Sequence, residues 1–304
     1  MDDEVQFAWH ALQLENRSLK AVGQAWQDVF SDVMEISRPG DFVRVRAGGS
    51  AGDLKCDGYL LSDGTIYQCY GPRQTRDAPA TAKIHEDFHG AHGHWGDRMK
   101  RWLYVNNSPD GITGAVLEVL TQLDADHDGI KVGPFGLIDL RAELKTAPAS
   151  DRDRLLGSAP TTRTIANLRR EDLSGLIQQI GRLPAPADAD MRPVPQNKMQ
   201  YNLLSDDAQT LLMAGIRKSA LVKSYFDNHY NPQYRDEVAA RMSEEYRHLR
   251  AKNVAADDIL TELQVFVGGS MVAPSASHQA AVLAIVTYFF SECDIFERPI
   301  PLAS

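Results

Sequence analysis

Residues 52–72 have the sequence GDLKCDGYLLSDGTIYQCYGP, and this stretch decides the fold expected for the first half of the chain. Two short runs, 59–61 and 65–70, are rich in apolar, aromatic and β-branched residues. Between them the sequence Ser-Asp-Gly at 62–64 has the chemistry of a tight turn. The pattern therefore predicts a β-hairpin.

Polar side chains occupy matching positions on the two predicted strands. Asp53 and Asp57 stand at the entry to the first strand, and Gln68 and Tyr70 lie on one face of the second. A carboxylate that faces polar side chains on a neighbouring strand can hold a divalent cation, which activates water for phosphodiester cleavage. The alternative is a hairpin whose two Asp side chains are solvated and cap turns.

The hairpin resembles the restriction-endonuclease-like superfamily, whose PD-(D/E)XK motif has Asp at a hairpin, then Glu or Gln, any residue, and Lys. In the Gly-Asp-x-x-x-Asp-Gly variant the second Asp is the metal ligand. The resemblance thus implies that Asp57 and Gln68 form a Mg²⁺ site, with Asp53 as a further ligand. Tyr70 stands where the family has the Lys that orients water and stabilises the transition state. Lys55, whose stem is flexible, is the candidate to supply that charge instead.

The residues before the hairpin agree with this resemblance in their order. Apolar residues recur at three- and four-residue spacing over about 4–37, which predicts a helix, and residues 42–46 alternate as a strand. Helix, strand, strand, strand is the order expected of the nuclease core. Gln27 stands where the first helix of that core commonly has Glu, so the charge for a second metal is missing.

Four basic residues are candidates for binding nucleic acid. Arg44 and Arg46 share one face of the strand at 42–46, and Lys100 and Arg101 begin a further predicted strand. Clustered cations of this kind bind the phosphate backbone.

Composition limits the class of protein. The 304 residues carry a formal net charge of −9, which argues against non-specific coating of nucleic acid. Cys56, Cys69 and Cys293 are too few and too widely spaced for a disulfide framework or a Cys zinc site. The acidic start Met-Asp-Asp-Glu is unlike a signal peptide. The longest apolar run, 280–290, is too short to span a bilayer and is predicted to be a buried core helix. A cytoplasmic protein with no membrane partner is expected.

A second motif, His85-Glu86-Asp87-Phe88-His89, fits His-Glu-x-x-His, which on a helix binds Zn²⁺ with Glu as the catalytic base. His92 and His94 are possible third ligands. The extension typical of metzincins is not matched, and two glycines interrupt the segment. The favoured interpretation is an amphipathic helix whose His side chains face solvent, and a zinc hydrolase ranks third among the functions.

Three regions are predicted along the chain. Residues 1–182 form a nuclease-like α/β domain with helical additions, and 183–198 form a Pro-rich linker. Residues 199–304 form an all-α helical bundle for interaction with partners, with helices near 206–229, 232–250, 259–267 and 278–293. The predicted fold class is α+β, with a restriction-endonuclease-like N-terminal domain followed by an all-α helical bundle.

Several short motifs together are similar to proteins of bacterial ABC-three-component defence systems. They are Trp-Gln-Asp-Val-Phe at 26–30, the hairpin, Asp87-Phe88 with Trp95, Trp-Leu-Tyr-Val-Asn-Asn at 102–107, and the terminal run 288–297. The resemblance implies an anti-phage or anti-plasmid role. It also implies two partners, an SMC- or Rad50-like ABC ATPase that senses foreign DNA and a small middle component.

Two hypotheses from different classes follow. In the first, the chain is a metal-dependent DNA nuclease in which Asp57, assisted by Asp53 and Gln68, binds Mg²⁺ and Lys55 supplies positive charge. In the second, the same fold is catalytically inactive and bridges DNA or partner subunits as an adaptor.

Overall fold

A computed structural model of the chain describes residues 3–46, 54–71, 77–181, 197–268, 275–292, 294–297 and 299. The chain forms two compact units. The first, called the sheet unit, consists of residues 14–155, and the second, called the helical unit, consists of residues 1–13 and 156–304. Mixed α/β structure is thus observed, with 14 helices and a five-stranded sheet among the described residues.

The sheet unit contains all the described strands. They are β1 (Phe42–Arg44), β2 (Gly58–Leu60), β3 (Thr65–Tyr70), β4 (Arg101–Asn106) and β5 (Lys131–Phe135). Its helices are α1 (Glu4–Lys20, which begins in the helical unit), α2 (Gln24–Ser37), α3 (Asp77–Trp95), α4 (Gly114–Asp126), α5 (Leu137–Thr146) and α6 (Ala149–Leu156). A short 3₁₀ helix, Gly96–Arg98, follows α3.

The sheet has the order β1-β2-β3-β4-β5. Strands β1, β2 and β3 are antiparallel neighbours, which confirms the predicted hairpin. Strands β3, β4 and β5 are parallel, and the parallel pairs are joined by the crossover helices α3 and α4, as parallel pairing requires.

Alternating residues of β3 pack on opposite faces of the sheet. Tyr67 contacts Phe30 of α2 and Phe135 of β5 in an aromatic cluster on one face. Ile66 points to the other face and joins the core formed with Phe88 of α3. Because successive side chains of a strand point to opposite faces, the apolar residues Ile66 and Tyr67 give β3 an apolar surface on both faces of the sheet.

The predicted helix over 4–37 is interrupted. The structure ends α1 at Lys20 and begins α2 at Gln24, and Gly23 between them has φ of +57°, a conformation that glycine adopts without strain. The apolar spacing is continuous across this break, so periodicity alone did not reveal it.

The helical unit is built around its last helix. Its further helices are α7 (Thr162–Ala166), α8 (Arg170–Gly181), α9 (Lys198–Tyr201), α10 (Asp206–Ile216), α11 (Ser219–Asp227), α12 (Tyr234–Ala251), α13 (Ala256–Gly268) and α14 (Ala276–Ser291). Every residue from 280 to 290 is buried, which confirms the predicted core helix. Among the described helices, none combines the length and the apolar character needed to cross a membrane.

The division between the units differs from the predicted domain boundary. Residues 156–181 cluster with the helical unit, because Ile165 of α7 and Leu173 and Ile177 of α8 are buried in its core. The predicted linker 183–198 lies almost wholly outside the described residues, so its role as a linker stays a prediction.

Candidate functional site

Asp57 lies at the entry to β2 and is held by donors from two other elements. Its side chain is only 5% exposed. Gln27 of α2 donates from Nε2 to Oδ1 at 2.8 Å, and the backbone N–H of Cys69 donates to Oδ2 at 2.7 Å. The backbone N–H of Asp57 donates to the carbonyl of Tyr67 at 2.9 Å, so the residue continues the hairpin ladder. The carboxylate is therefore fixed in place at the end of the sheet.

Gln68 lies in β3. It directly precedes Cys69, whose N–H binds Asp57, and it is 7% exposed. Its Oε1 atom is buried and has no hydrogen-bond partner among the described residues. A buried polar atom without a partner costs about 1–3 kcal/mol, so an unmet interaction is expected here.

These two residues fit a hard divalent cation. Carboxylate and amide oxygens are the ligands that Mg²⁺ accepts, and Mg²⁺ commonly keeps several waters beside one or two protein oxygens. Asp53, the further predicted ligand, lies outside the described residues.

Gln27 of α2 reaches the site from the neighbouring helix. The sequence placed it at the position of the family's Glu, and the structure brings it into direct contact with Asp57. Its amide supplies a hydrogen-bond donor and no charge. It therefore orients the carboxylate, whereas a Glu would add a second negative ligand.

Cys69 contributes its backbone and not its thiol. Burial raises the pKa of the Cys69 thiol well above the usual range, and the nearby Asp57 carboxylate raises it further. The thiol stays protonated and is a poor nucleophile.

Lys55 is bound to α3. Its ammonium contacts Oε1 of Glu86 at 2.5 Å and Oδ1 of Asp87 at 2.9 Å, and Lys83 also binds the buried Asp87, at 2.8 Å. The hydrogen bonds with Glu86 and then with Asp87 raise the pKa of Lys55, which stays a cation. These α3 carboxylates compete with the predicted role of Lys55 at Asp57.

The backbone around Lys55 is adapted to this contact. Leu54 and Lys55 both have φ of +57°, a region that costs energy for residues with a side chain. A Cβ on Gly90 of α3 would meet Cγ of Lys55 at 2.8 Å, so the glycine leaves room for the lysine stem. Trp95 at the end of α3 also donates from Nε1 to the carbonyl of Leu54. The entry to the hairpin is thereby attached to α3.

The predicted nucleic-acid-binding residues do not form one surface. Arg44 is 16% exposed in its side chain and binds Asp32 and Glu35 of α2, whereas Arg46 is exposed. Lys100 and Arg101 lie at the opposite end of the sheet from Asp57, because Arg101 pairs with Thr65 while Cys69 pairs with Val105. Four residues of strand separate the two ends by about 13 Å.

The His-Glu-x-x-His segment lies in α3, as predicted. His85, His89 and His94 are exposed, as expected from the amphipathic interpretation, while His92 is half-buried. His127, which the sequence analysis did not single out, packs 5.3 Å from His92 and 5.7 Å from His89 between ring centroids.

The described residues offer little support for zinc chemistry at this segment. Glu86, the predicted base, binds Lys55 instead. Within the part of the chain that the structure describes, no group of three or more His, Cys, Asp or Glu side chains is arranged to hold a metal. Asp57 is likewise not part of such a group among these residues.

Comparison with known proteins bears on the helical unit. Residues 171–297 match the family model of C-terminal domain 10 of the ABC-three component (ABC-3C) systems. The match supports membership of such a system, which implies a defence role within a multi-component assembly. A search of curated proteins found no match. A search of solved structures also found none.

Proposed function

We propose that the chain is the effector subunit of an ABC-three-component defence system, and that its sheet unit is a divergent metal-dependent DNA nuclease. In this proposal it acts with an SMC- or Rad50-like ABC ATPase and a small middle component. The family match at 171–297 supports the assignment to the system. The nuclease function rests on the site at Asp57.

One observation carries the nuclease proposal. The buried Asp57 carboxylate is oriented by hydrogen bonds from Gln27 and from the backbone of Cys69. Gln68, which directly precedes Cys69, is buried, and its Oε1 atom has no hydrogen-bond partner among the described residues. These residues stand in a helix, strand, strand, strand order with a fourth strand parallel to the third, an arrangement in keeping with the expected nuclease core.

The chain's own residues would hold and orient the metal. Asp57 would bind Mg²⁺ through its carboxylate and Gln68 through its amide oxygen, while hydrogen bonds from Gln27 and from the Cys69 N–H orient the carboxylate. Bound Mg²⁺ supplies an activated water and stabilises charge on the phosphate. Because Asp57 is buried, its interaction with a cation is stronger than it would be in water.

A second candidate function, an inactive adaptor with the same fold, is favoured by the placement of Lys55. The ammonium that would replace the family's Lys binds Glu86 and Asp87. At the family's own Lys position, Tyr70 packs against Tyr104 at 5.6 Å between ring centroids. A subunit without this charge would bridge DNA and partner subunits without cutting.

Cleavage of plasmid DNA distinguishes the two functions. The full chain is assayed with Mg²⁺ or Mn²⁺, alone and with the proteins encoded beside it, as wild type and as Asp57→Asn. Asp63→Asn is the matched control, because Asp63 also accepts a backbone N–H, from Thr65, but lies at the other end of the hairpin. We expect cleavage by wild type and control, and a loss of at least 100-fold in Asp57→Asn.

Two results would contradict the nuclease. Equal cleavage by Asp57→Asn and wild type would place the metal elsewhere. Absence of cleavage in every combination, with DNA or partner binding intact, would establish the adaptor.

A further inference from the structure

The helical unit contains an open groove of about 940 Å³ that the proposed nuclease function does not use. It runs along α10 and is bounded by the first residues of α1 and α7. We call it the α10 groove. Its lining includes the apolar residues Met213 and Ile216 and the charged residues Glu4, Asp206 and Arg217.

Two large apolar side chains of the α10 groove face outward. Met213 is 56% exposed and Ile216 is 42% exposed. They are three residues apart on α10, and residues at this spacing lie on one face of a helix. Together they form a short apolar stripe with an open side, the feature that an amphipathic helix of a partner covers.

The charges of the α10 groove are separated along its length. Asp206 begins α10 and Arg217 lies after its last turn, about 16 Å away at 1.5 Å per residue. Glu4 also lines the groove. Within the described residues, none of these three side chains takes part in an ion pair or hydrogen bond. Asp3, in contrast, is already engaged by the backbone N–H of Val5 and by Thr162.

We propose that the α10 groove binds a helical segment of another subunit of the same system. The segment has two apolar residues at three- or four-residue spacing over Met213 and Ile216. It has Lys or Arg at the end that meets Asp206, and a carboxylate toward Arg217. This inference rests on the part of the proposed function that assigns the chain to a multi-component system, and it does not depend on nuclease activity.

The geometry explains why this occupant suits the groove. A span of about 16 Å corresponds to about 11 helical residues, or three turns. Burial of the apolar stripe supplies affinity, and opposite charges at the two ends select the direction of the bound helix. The acidic end disfavours an acidic segment by repulsion, so the charges also exclude wrong partners.

Site-specific crosslinking tests the proposal in the assembled system. The full chain is co-expressed with the other proteins of its system, with p-benzoyl-phenylalanine in place of Met213. The matched control carries it in place of Val265, which is 58% exposed on α13 and does not line the groove. We expect position 213, and not position 265, to crosslink to one other subunit, at a peptide with apolar residues beside Lys or Arg.

Charge reversal provides the second measurement. The double variant Glu4→Lys/Asp206→Lys changes only exposed side chains, so its thermal midpoint is expected to stay near that of wild type. We expect its affinity for the crosslinked subunit to fall at least tenfold, and Lys→Glu or Arg→Glu changes in the crosslinked peptide to restore it.

Several results would overturn the proposal. One is a crosslink from position 213 only to a second copy of this chain, which would make the groove a self-association surface. Others are a crosslink to an acidic segment, unchanged affinity in a folded double variant, and no assembly of the wild-type chain with any other subunit.

Discussion

Replacement of Gln27 by Glu tests the metal site directly, because it introduces the residue that the nuclease resemblance expects. Gln27 now donates a hydrogen bond to Oδ1 of Asp57 at 2.8 Å. In Gln27→Glu the donor becomes a carboxylate, and two negative groups meet at a largely buried position. A divalent cation between them would turn this repulsion into a two-carboxylate site.

The magnitude follows from this distance. Two unit charges about 3 Å apart repel by roughly 5 kcal/mol at an effective dielectric constant of 20. Loss of the hydrogen bond adds about 1 kcal/mol. Gln27 is half-buried, so the new carboxylate can turn partly toward solvent, and we expect a net loss of about 2–4 kcal/mol at pH 8.

The loss depends on pH in a defined direction. Repulsion raises the pKa of one carboxyl of the pair in the folded state above its unfolded value. The folded state then binds the extra proton, and stability is lost as the pH rises through that raised pKa. At about pH 4 the variant is therefore expected to approach wild-type stability.

The assay compares thermal midpoints with and without Mg²⁺ or Mn²⁺. The matched control is Gln24→Glu on the same helix, where an exposed Gln24 donates to exposed Asp28 at 3.1 Å. Both variants add one negative charge beside an Asp. In the control, solvent screens the repulsion between the two carboxylates, so we expect a loss of stability of less than about 0.5 kcal/mol. A cation at 100 times its Kd would return about 2.7 kcal/mol to Gln27→Glu.

Two outcomes would refute this reasoning. If the two variants lose equal stability, the Asp57 carboxylate is not as desolvated as its burial indicates. If Gln27→Glu is destabilised but neither cation raises its midpoint more than that of wild type, the site does not bind metal, and the nuclease proposal loses its basis.

Two further predictions concern the helical unit. Gly215→Ala is expected to destabilise it by about 1–3 kcal/mol, because the new Cβ would lie 2.3 Å from Oγ1 of Thr287 in the buried core. Gly175→Ala is expected to stabilise the unit by up to about 1 kcal/mol, because a Cβ added to this helical glycine would meet no neighbouring side chain or other element within 4 Å. Equal changes in the free energy of unfolding of the two variants, measured by urea unfolding, would contradict this prediction. Burial raises the pKa of Asp294 to about 6, so its contribution to stability falls as the pH rises from about 4 to 6. Relative to Asp294→Asn, the free energy of unfolding of wild type should fall by up to about 3 kcal/mol over that range. If the difference in unfolding free energy between the two proteins does not change with pH, Asp294 does not titrate in this way.

Part of the candidate site could be predicted from the sequence. The turn at 62–64 and the two flanking runs placed Asp57 and Gln68 on neighbouring strands. The resemblance to the nuclease family, and not the local pattern, pointed to Gln27. These predictions depend on period and turn chemistry, which are local properties of the chain. The unpartnered Oε1 of Gln68 has no local signal.

Other features of the site depended on packing. The flexible stem of Lys55 was compatible with a role at Asp57, and only the placement of α3 shows its ammonium on Glu86 and Asp87. Lys100 and Arg101 resembled Arg44 and Arg46 in composition, but the parallel register of β3 and β4 puts them at the far end of the sheet. No signal in one sequence specifies such a register.

The sequence by itself determined the hairpin at 58–70, the buried helix at 280–290 and the helical character of the second half, because each follows from the local pattern of apolar residues along one segment. The tertiary structure alone decided that residues 156–181 pack with the helical unit, which charges are paired, and that Glu4 and Asp206 share a groove. These outcomes depend on contacts between residues far apart in the chain, and burial and distance then set which polar groups meet and how strongly they interact.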